Sequence, residues 1–271
     1  MLNQINNYQE YSELLKQAKI EYAPMRSNLF LFPQEVQRYI DDGCLSYVKD
    51  SNSLVFIKEE KDINRLYFCI SPEASKVNFK RLSKYTVVEI PRRTNQVIDF
   101  SIDKSLTDGG FLFFRKTIRM KSAVVQVNDT NFHTVSLLNE SDAQAVRTFL
   151  YQHFDVRADF IPDLAEIKAL ICEKMVYGTR EPDGKIASCV LTTKHKKQLE
   201  LRAIAVDQRH RGCGLAQELC TAVFSIAKRE ECHTVFLWTA SDNTVAHKLY
   251  KKFGFSEDGC YSDLYYMEKE N

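Results

Sequence analysis

The chain has 271 residues, of which 44% are hydrophobic and 27% are charged, and its formal net charge is +1. The composition is that of a soluble globular protein, and the length predicts two domains, since one domain commonly holds about 100–150 residues. The balanced charge argues against binding to nucleic acid or to a membrane surface. No apolar run reaches the ~20 residues of a membrane span, and the polar N-terminal residues 1–16 carry no signal-peptide core.

The eight cysteines predict a reducing environment. They form no C-x-x-C pair, and Cys232 has only an adjacent histidine, His233, which is too close in sequence to chelate well. Several cysteines lie in apolar runs, where a thiol packs as a small hydrophobic group. We therefore expect a cytoplasmic protein without a metal site.

The first half is predicted to form helices and then strands. Apolar spacing predicts the first helix, and the second is entered at Pro33 and stopped by Gly43. The predicted helices are residues 4–18, 32–42 and 72–83. The predicted strands are residues 44–49, 54–58, 66–70, 86–90, 96–101, 111–120 and 123–127.

A polar, turn-prone stretch at residues 127–131 predicts the domain boundary, with an N-terminal α+β domain over 1–128 and a second domain over 129–271. The second half is predicted to alternate in the order β-α-α-β-β-β-α-β-α-β. Its predicted strands are residues 134–138, 175–180, 185–193, 200–206, 234–239 and 261–267, and its predicted helices are residues 140–151, 163–173, 212–228 and 243–253. Hairpin strands mixed with helical crossovers favour an α+β fold with a mixed α/β sheet.

A short glycine-containing turn joins the strand that ends at Val206 to the next helix. From Leu201 to Ala216 the sequence reads L-R-A-I-A-V-D-Q-R-H-R-G-C-G-L-A. A helix N-terminus offers unpaired N–H groups and the positive end of its dipole, and glycines allow close approach, so a pyrophosphate is the natural ligand. The turn lacks the third glycine of a dinucleotide fingerprint and the lysine of a Walker loop. For an isolated R-G-x-G, a tight turn with a surface arginine is the alternative.

The same segment resembles the acyl-CoA loop of the GNAT superfamily, whose pattern is [QR]-x-x-G-x-[GA]. Arg209, Gly212 and Gly214 match the pattern. Further along, a second stretch resembles the GNAT signature N-x-x-A-x-x-x-Y-x-x-x-G-F. It is matched by Asn243, Ala246, Tyr250, Gly254 and Phe255. The resemblance covers residues 134–271.

The resemblance implies a GNAT N-acyltransferase fold for the second half, with acetyl-CoA as co-substrate and no metal. In this family the strand before the loop splays from its neighbour, and the pantetheine arm pairs with the exposed backbone as an added strand would. The residues expected to hold the cofactor are Ile204, Ala205, Val206, Arg209, Arg211, Gly212, Cys213, Gly214, Leu215, Ala216 and Asn243. Asn243 is alternatively a helix cap, and Cys213 is expected to lie beside the pyrophosphate without a chemical role.

Two residues are the predicted catalytic groups. The family places the tyrosine that Tyr250 matches near the thioester sulfur, where a phenol of pKa ~10 can protonate the departing thiolate. Glu200 stands where some GNAT enzymes carry a glutamate base for the amine, and Glu173 is a weaker candidate. The alternatives are an aromatic side chain packed under its helix for Tyr250, a solvent-facing carboxylate for Glu200, and a water relay in place of a protein base.

The first half lacks the loop pattern, since residues 91–95 contain no glycine. A Gly-Phe pair precedes a closing strand in both halves, at 110–111 and 254–255, which chance or a duplicated domain would explain. A degenerate GNAT-like domain and an unrelated α+β domain both remain open. We expect an N-acetyltransferase that joins acetyl-CoA and a primary amine in a ternary complex. The acceptor is an unidentified small molecule or peptide, nucleic acid and membrane are not expected partners, and a homodimer is left open. A CoA-binding regulatory or scaffolding module is the alternative.

Overall fold

The structure, a computed structural model, describes residues 2–74, 84–95, 101–124 and 134–268. The chain divides into two compact units. The first comprises Met1–Lys116 and Tyr261–Asn271, and the second comprises Thr117–Cys260. The predicted boundary at residues 127–131 lies outside the described residues, so the division at 128/129 stays a prediction.

The described part of the first unit contains three helices and a series of strands. Its elements are β1 (Asn3–Gln4), α1 (Tyr8–Glu21), β2 (Arg26–Ser27), α2 (Pro33–Asp41), β3 (Leu45–Lys49), β4 (Ser53–Glu59), β5 (Ile63–Ile70), β6 (Tyr85–Arg93), α3 (Ser101–Asp108) and the start of β7 (Leu112–Ala123). The first helix begins later than residue 4 because the Asn7 side chain caps it, accepting from the Glu10 N–H at 2.9 Å. The second begins at Pro33, as predicted.

The sheet of the first unit has the order β1-β3-β4-β5-β6. Its strand pairs are antiparallel except β5–β6, which is parallel. Every residue of β5 is buried, and β4 is buried up to Lys58. The core of this unit therefore lies around its two central strands.

The first half differs from the predicted elements at some points and leaves others untested. The predicted helix 72–83 and the predicted strands 96–101 and 123–127 fall partly outside the described residues, at 75–83, 96–100 and 125–127. Ser101 begins α3, a helix that the sequence did not predict. The strand β7 is continuous through Ala123, whereas we predicted a break after Met120.

Every helix and strand predicted for residues 134–271 is present, with ends moved by a few positions. The elements of the second unit are β8 (Ser136–Leu137), a 3-10 turn (Glu140–Asp142), α4 (Ala143–His153), α5 (Leu164–Cys172), β9 (Val176–Arg180), β10 (Ile186–His195), β11 (Gln198–Val206), a second 3-10 turn (Gln208–His210), α6 (Leu215–Arg229), β12 (Thr234–Ala240), α7 (Thr244–Lys252) and the start of β13 (Ser256–Met267). The mixed sheet with its helices confirms the predicted α+β fold class.

The sheet of the second unit has the order β7-β12-β11-β10-β9-β8. Its strand pairs are antiparallel except β11–β12, which is parallel. The helix α6 packs on β10, β11 and β12, and contributes Leu219, Val223 and Ile226 to the core. This places the N-terminus of α6 directly after the loop that follows β11.

Two long strands, β7 and β13, are each divided between the two units. The segment Thr117–Ala123 of β7 belongs to the second unit, where it pairs with β12 from Ala240 to Thr234. The end of β13 belongs to the first unit, where Arg92 Nε donates to Asp263 Oδ2 at 2.9 Å. The second unit therefore contains residues that precede position 129.

None of the helices in the described ranges is long and apolar enough to cross a membrane. Among the same residues, no group of three or more His, Cys, Asp and Glu side chains is arranged to hold a metal ion. All eight cysteines are free thiols.

Candidate active site

The parallel strands β11 and β12 are paired over only about half of their length. Their parallel ladder runs from Gln198↔Thr234 to Leu201↔Leu237 and no further, although β12 continues to Ala240. A β-bulge marks the same point, because β10 pairs Thr192 with Leu201 and Leu191 with Ala203, leaving Arg202 unmatched. Within the described residues, Ile204, Ala205 and Val206 therefore have no ladder partner on their β12 side.

The loop that follows Val206 turns into α6 through two left-handed residues. Gly212 has φ +83° and Gly214 has φ +84°, and Gly214 caps the helix without a side-chain hydrogen bond. A Cβ on either glycine would meet no atom of the described residues within 4 Å. Backbone conformation, rather than crowding by the protein, is thus what requires glycine at these two positions.

This loop presents a row of free backbone donors. Among the hydrogen bonds of the described residues, the N–H groups of Gly212, Cys213, Gly214, Leu215 and Ala216 have no acceptor. They belong to the residues that lead into and begin α6, where the positive end of the helix dipole lies. Such a cluster of N–H groups is suited to phosphate oxygens.

The two arginines of the loop are anchored at its edge. Arg209, whose side chain is 65% exposed, donates to Asp207 Oδ1 at 3.1 Å and to Glu181 Oε1 at 2.7 Å. Arg211 Nε donates to the Val206 carbonyl at 3.3 Å. The carboxylates offset part of the positive charge of Arg209, so the backbone amides are the donors that this geometry leaves open.

Tyr250 lies on α7 and is only 5% exposed. Its ring packs against Phe255 at a centroid distance of 5.8 Å. Burial, with a smaller effect of Cys220, raises the pKa of the Tyr250 hydroxyl well above the ordinary tyrosine value. The contacts of the described residues include no hydrogen bond to this hydroxyl, so the phenol is a protonated group without a protein acceptor.

Asn243 serves as the N-cap of α7. Its Oδ1 accepts the Ala246 N–H at 3.1 Å. Of the two expectations for this residue, the structure shows the cap, and a role in cofactor binding stays a prediction.

Glu200 stands one residue before the point where the ladder ends. Its strand neighbours are Thr193 on β10 and Phe236 on β12. Its Oε2 lies 2.8 Å from His195 Nε2, and both side chains are partly exposed. The carboxylate therefore has a titratable partner at the mouth of the gap between β11 and β12.

His195 and Arg202 were not predicted from the sequence to lie at the site. The signal for His195 was its spacing: across a hairpin that pairs His195 with Gln198, positions 195 and 200 are diagonal neighbours. Arg202, the bulged residue, donates to Glu166 Oε1 at 2.6 Å and lies over the Phe160 ring. Periodicity alone gives no signal for a bulge, so its orientation could not be predicted.

The remaining candidates are not joined by direct contacts. Glu173 is exposed after the end of α5, where its carbonyl accepts from Arg229 at 3.4 Å. No contact between the Glu200 and Tyr250 side chains occurs among those of the described residues. The loop, the unpaired strand end and the α6 N-terminus do come together, because they follow one another along the chain.

Comparison with known proteins identifies the class. Residues 141–255, which contain the loop, the strand gap and Tyr250, match the family described as Acetyltransferase (GNAT) family. The chain therefore carries a GNAT acetyltransferase-family domain in its second half.

Curated relatives match a limited stretch. N-acetylaspartate synthetase from Rattus norvegicus is 34% identical over 87 residues, which are 31% of this chain and 29% of that protein. The chain thus spans about three tenths of the length of this relative.

Solved structures share the fold over nearly the whole length. A GCN5-related N-acetyltransferase from Sphaerobacter thermophilus has a TM-score of 0.61 at 14% identity, covering 99% of this chain and 95% of its own. A tandem GNAT protein from the clavulanic acid biosynthesis pathway has a TM-score of 0.62 at 11% identity, covering 100% of this chain and 99% of its own. These likenesses show the fold alone: nearly the whole chain, its first half included, has a GNAT-like fold.

Proposed function

We propose that the second unit transfers an acetyl group from acetyl-CoA to a primary amine by direct attack in a ternary complex. One observation carries the proposal: β11 is unpaired on its β12 side after Leu201, and the loop after Val206 has five backbone N–H groups without an acceptor among the described residues. The unpaired strand edge is suited to a long arm that carries amide groups, and the loop that follows it is suited to a pyrophosphate.

The cofactor roles follow from which backbone groups are open. Ile204, Ala205 and Val206 would pair with the amide groups of the pantetheine arm. The amides of residues 212–216 would bind the pyrophosphate, with Arg209 and Arg211 at the edge. Five residues of extended strand span about 17 Å, so the thioester would lie near Leu201 and Arg202.

Two side chains would move the protons. The amine nitrogen forms a bond to the thioester carbonyl carbon, and the carbon–sulfur bond breaks. The phenol of Tyr250, which burial keeps protonated, would protonate the departing sulfur. Glu200, held by His195, would receive the proton that the amine loses, directly or through a water.

The acceptor is proposed to be a primary amine on a small molecule or peptide. Amino acids are the first acceptors to test, because curated relatives over this stretch are named N-acetylaspartate synthetase. The free cysteines support a reducing compartment such as the cytoplasm.

Acetyl-CoA turnover by the full chain, read as release of free thiol over a panel of amines, tests the proposal. We expect turnover with at least one amine, a loss of about a hundredfold in kcat for Tyr250→Phe, and unchanged CoA affinity in that variant. Phenylalanine keeps the packing, so unfolding at the wild-type temperature is the control. Tight CoA binding without turnover on any amine would favour a CoA-binding regulatory or scaffolding module instead.

A further inference from the structure

The first unit has a strand gap at the place that corresponds to the gap in the second unit. The parallel ladder of β5 and β6 also has four pairs, from Ile63↔Tyr85 to Leu66↔Val88. Beyond the fourth pair, β5 continues to Ile70 and β6 continues to Arg93. The two parallel ladders therefore end at the same step of the fold.

In the first unit this gap is bridged by the side chain of Asn28. Asn28 Nδ2 donates to the carbonyls of Leu66 and Glu89, at 3.0 Å each, and Oδ1 accepts the Phe68 N–H at 2.7 Å. The residue is 1% exposed. One buried amide thus bonds to both strands immediately beyond the last ladder pair.

The residues just before Asn28 form a short strand that occupies the rest of the gap beside β5. In β2, Arg26 and Ser27 pair antiparallel with Ile70 and Cys69 of β5. The Arg26 guanidinium then reaches past the end of β5 and donates to three backbone carbonyls and to two serines of α3. The acceptors are Ser71 O at 2.8 Å, Pro72 O at 3.2 Å, Ala74 O at 2.9 Å, Ser101 Oγ at 2.7 Å and Ser105 Oγ at 3.5 Å.

The second unit differs at the corresponding connection. In the first unit, β2 lies between α1 and α2 and joins β5. In the second unit, residues 154–163 connect α4 to α5, and none of them forms a strand on β11. On β11, the edge beyond the ladder has no strand partner among the described residues. At the equivalent edge of β5, residues 26–28 supply the hydrogen-bond partners.

We propose that residues 26–28 are a permanent internal strand that occupies the cofactor gap of the first unit, so that this unit binds no CoA and the chain binds one CoA. The correspondence with an extended acyl-CoA arm rests on the function proposed for the second unit. The internal strand itself rests on the hydrogen bonds of residues 26–28. A peptide segment replaces the arm because both present backbone-like amides to a strand edge.

Hydrogen–deuterium exchange on the full chain separates these two parts of the proposal. In the absence of CoA, Asn28→Ala is expected to speed exchange in peptides covering residues 66–70 about tenfold, since Phe68 loses its acceptor. Asn6→Ala is the matched control, because Asn6 is an exposed asparagine of the same unit. Unchanged exchange at residues 66–70 in a folded Asn28→Ala protein would overturn the internal strand. If that variant does not fold, Arg26→Lys, which keeps the charge but loses donors, is measured in the same way.

CoA added to the wild-type chain gives the second readout. We expect native mass spectrometry to count one CoA per chain, and exchange to slow at residues 204–216 but not at residues 66–70 or 85–93. Two CoA molecules per chain, or slower exchange on β5 and β6, would contradict an occupied first gap. If no CoA binds, the proposed function of the second unit fails, while the Asn28→Ala result still decides the internal strand.

Discussion

The two units share a scaffold and differ in the residues placed at equivalent points. Counting along the parallel ladders, the third pair is Arg65↔Val87 in the first unit and Glu200↔Phe236 in the second. The carboxylate at the mouth of the second gap is thus replaced by an arginine. A fold can keep its ladder while the chemistry at its edge is exchanged, because ladder bonds come from the backbone alone.

The last helix of each unit shows the same exchange. The Phe111 N–H donates to Leu106 O at 3.0 Å, and the Phe255 N–H donates to Tyr250 O at 3.1 Å. These matching turns place Leu106 where the second unit has Tyr250. The Gly-Phe pairs at 110–111 and 254–255 are therefore structurally equivalent. At the positions equivalent to Tyr250 and Glu200, the first unit has Leu106 and Arg65.

Arg65 belongs to a buried ion cluster of its own. Arg65 Nε and Lys58 Nζ both lie 2.9 Å from Glu60 Oε1, and Lys58 also lies over the Tyr39 ring. Burial alone would raise the pKa of Glu60, but Arg65 and Lys58 outweigh it and hold that pKa below its ordinary value. The equivalent position has thus changed from a partly exposed carboxylate to a structural cation.

Removing the part of β7 that belongs to the second unit is expected to have the largest effect on folding and on CoA binding. A chain of residues 129–271 lacks Thr117–Ala123, which pairs with every residue of β12, and lacks Met120, which is fully buried in the core. We expect no cooperative thermal unfolding by circular dichroism and no CoA uptake by calorimetry.

Residues 117–260 are the matched comparison, because they contain the whole second unit. This chain is expected to unfold cooperatively. Wild-type CoA binding by residues 129–271 would show that the second unit does not need β7.

Substitutions at the equivalent positions 65 and 200 should separate stability from catalysis. Arg65→Met leaves Glu60 with one fewer cation in a buried cluster and is expected to cost about 3 kcal/mol in the free energy of unfolding. Glu200→Gln is expected to lower kcat about tenfold and to leave stability within about 0.5 kcal/mol.

Urea unfolding and steady-state kinetics on both variants give the test. The kcat of folded Arg65→Met protein should equal that of the wild type. A loss of kcat in Arg65→Met, or none in Glu200→Gln, would break the assignment of chemistry to one unit.

Local signals were sufficient for the loop and for most elements, but not for the pairing of strands. Two glycines followed by a helix predicted the turn at residues 207–214, since left-handed backbone and an open helix start are local properties. Asn28 carries no such signal, because its three partners lie 38 to 61 residues away. The division of β7 and β13 between the two units could not be predicted either, since alternating hydrophobicity predicts that a strand forms but not which strand it pairs with.

Equal backbone strain in the two units should have unequal effects on binding. Gly214 and Gly43 both have positive φ, +84° and +64°, and a Cβ on either would meet nothing within 4 Å in the part of the chain that the structure describes. Alanine at each is expected to cost about 1–2 kcal/mol in stability. Gly214→Ala should also weaken CoA binding about tenfold, because the amides of the loop would shift.

Calorimetric titration with CoA compares the two variants. Gly43→Ala is the control and should bind CoA as the wild type does. Equal affinities in both variants would count against phosphate binding at residues 212–216.

The smallest expected effect is a pH dependence in the second unit. Asp142 accepts hydrogen bonds from Arg180 Nε at 2.7 Å and from the Asn139 N–H at 2.7 Å, and the Arg180 bond is the main cause that lowers the pKa of Asp142. A lowered folded pKa stabilises the fold above the unfolded value of about 3.9, and this stabilisation is lost as the pH falls through the folded value. Because Arg180 is about a third exposed, we expect about 1 kcal/mol or less. Asp142→Asn should therefore flatten the fall of stability between about pH 5 and pH 3 in urea unfolding, and an unchanged acid slope would show that Asp142 does not contribute to it.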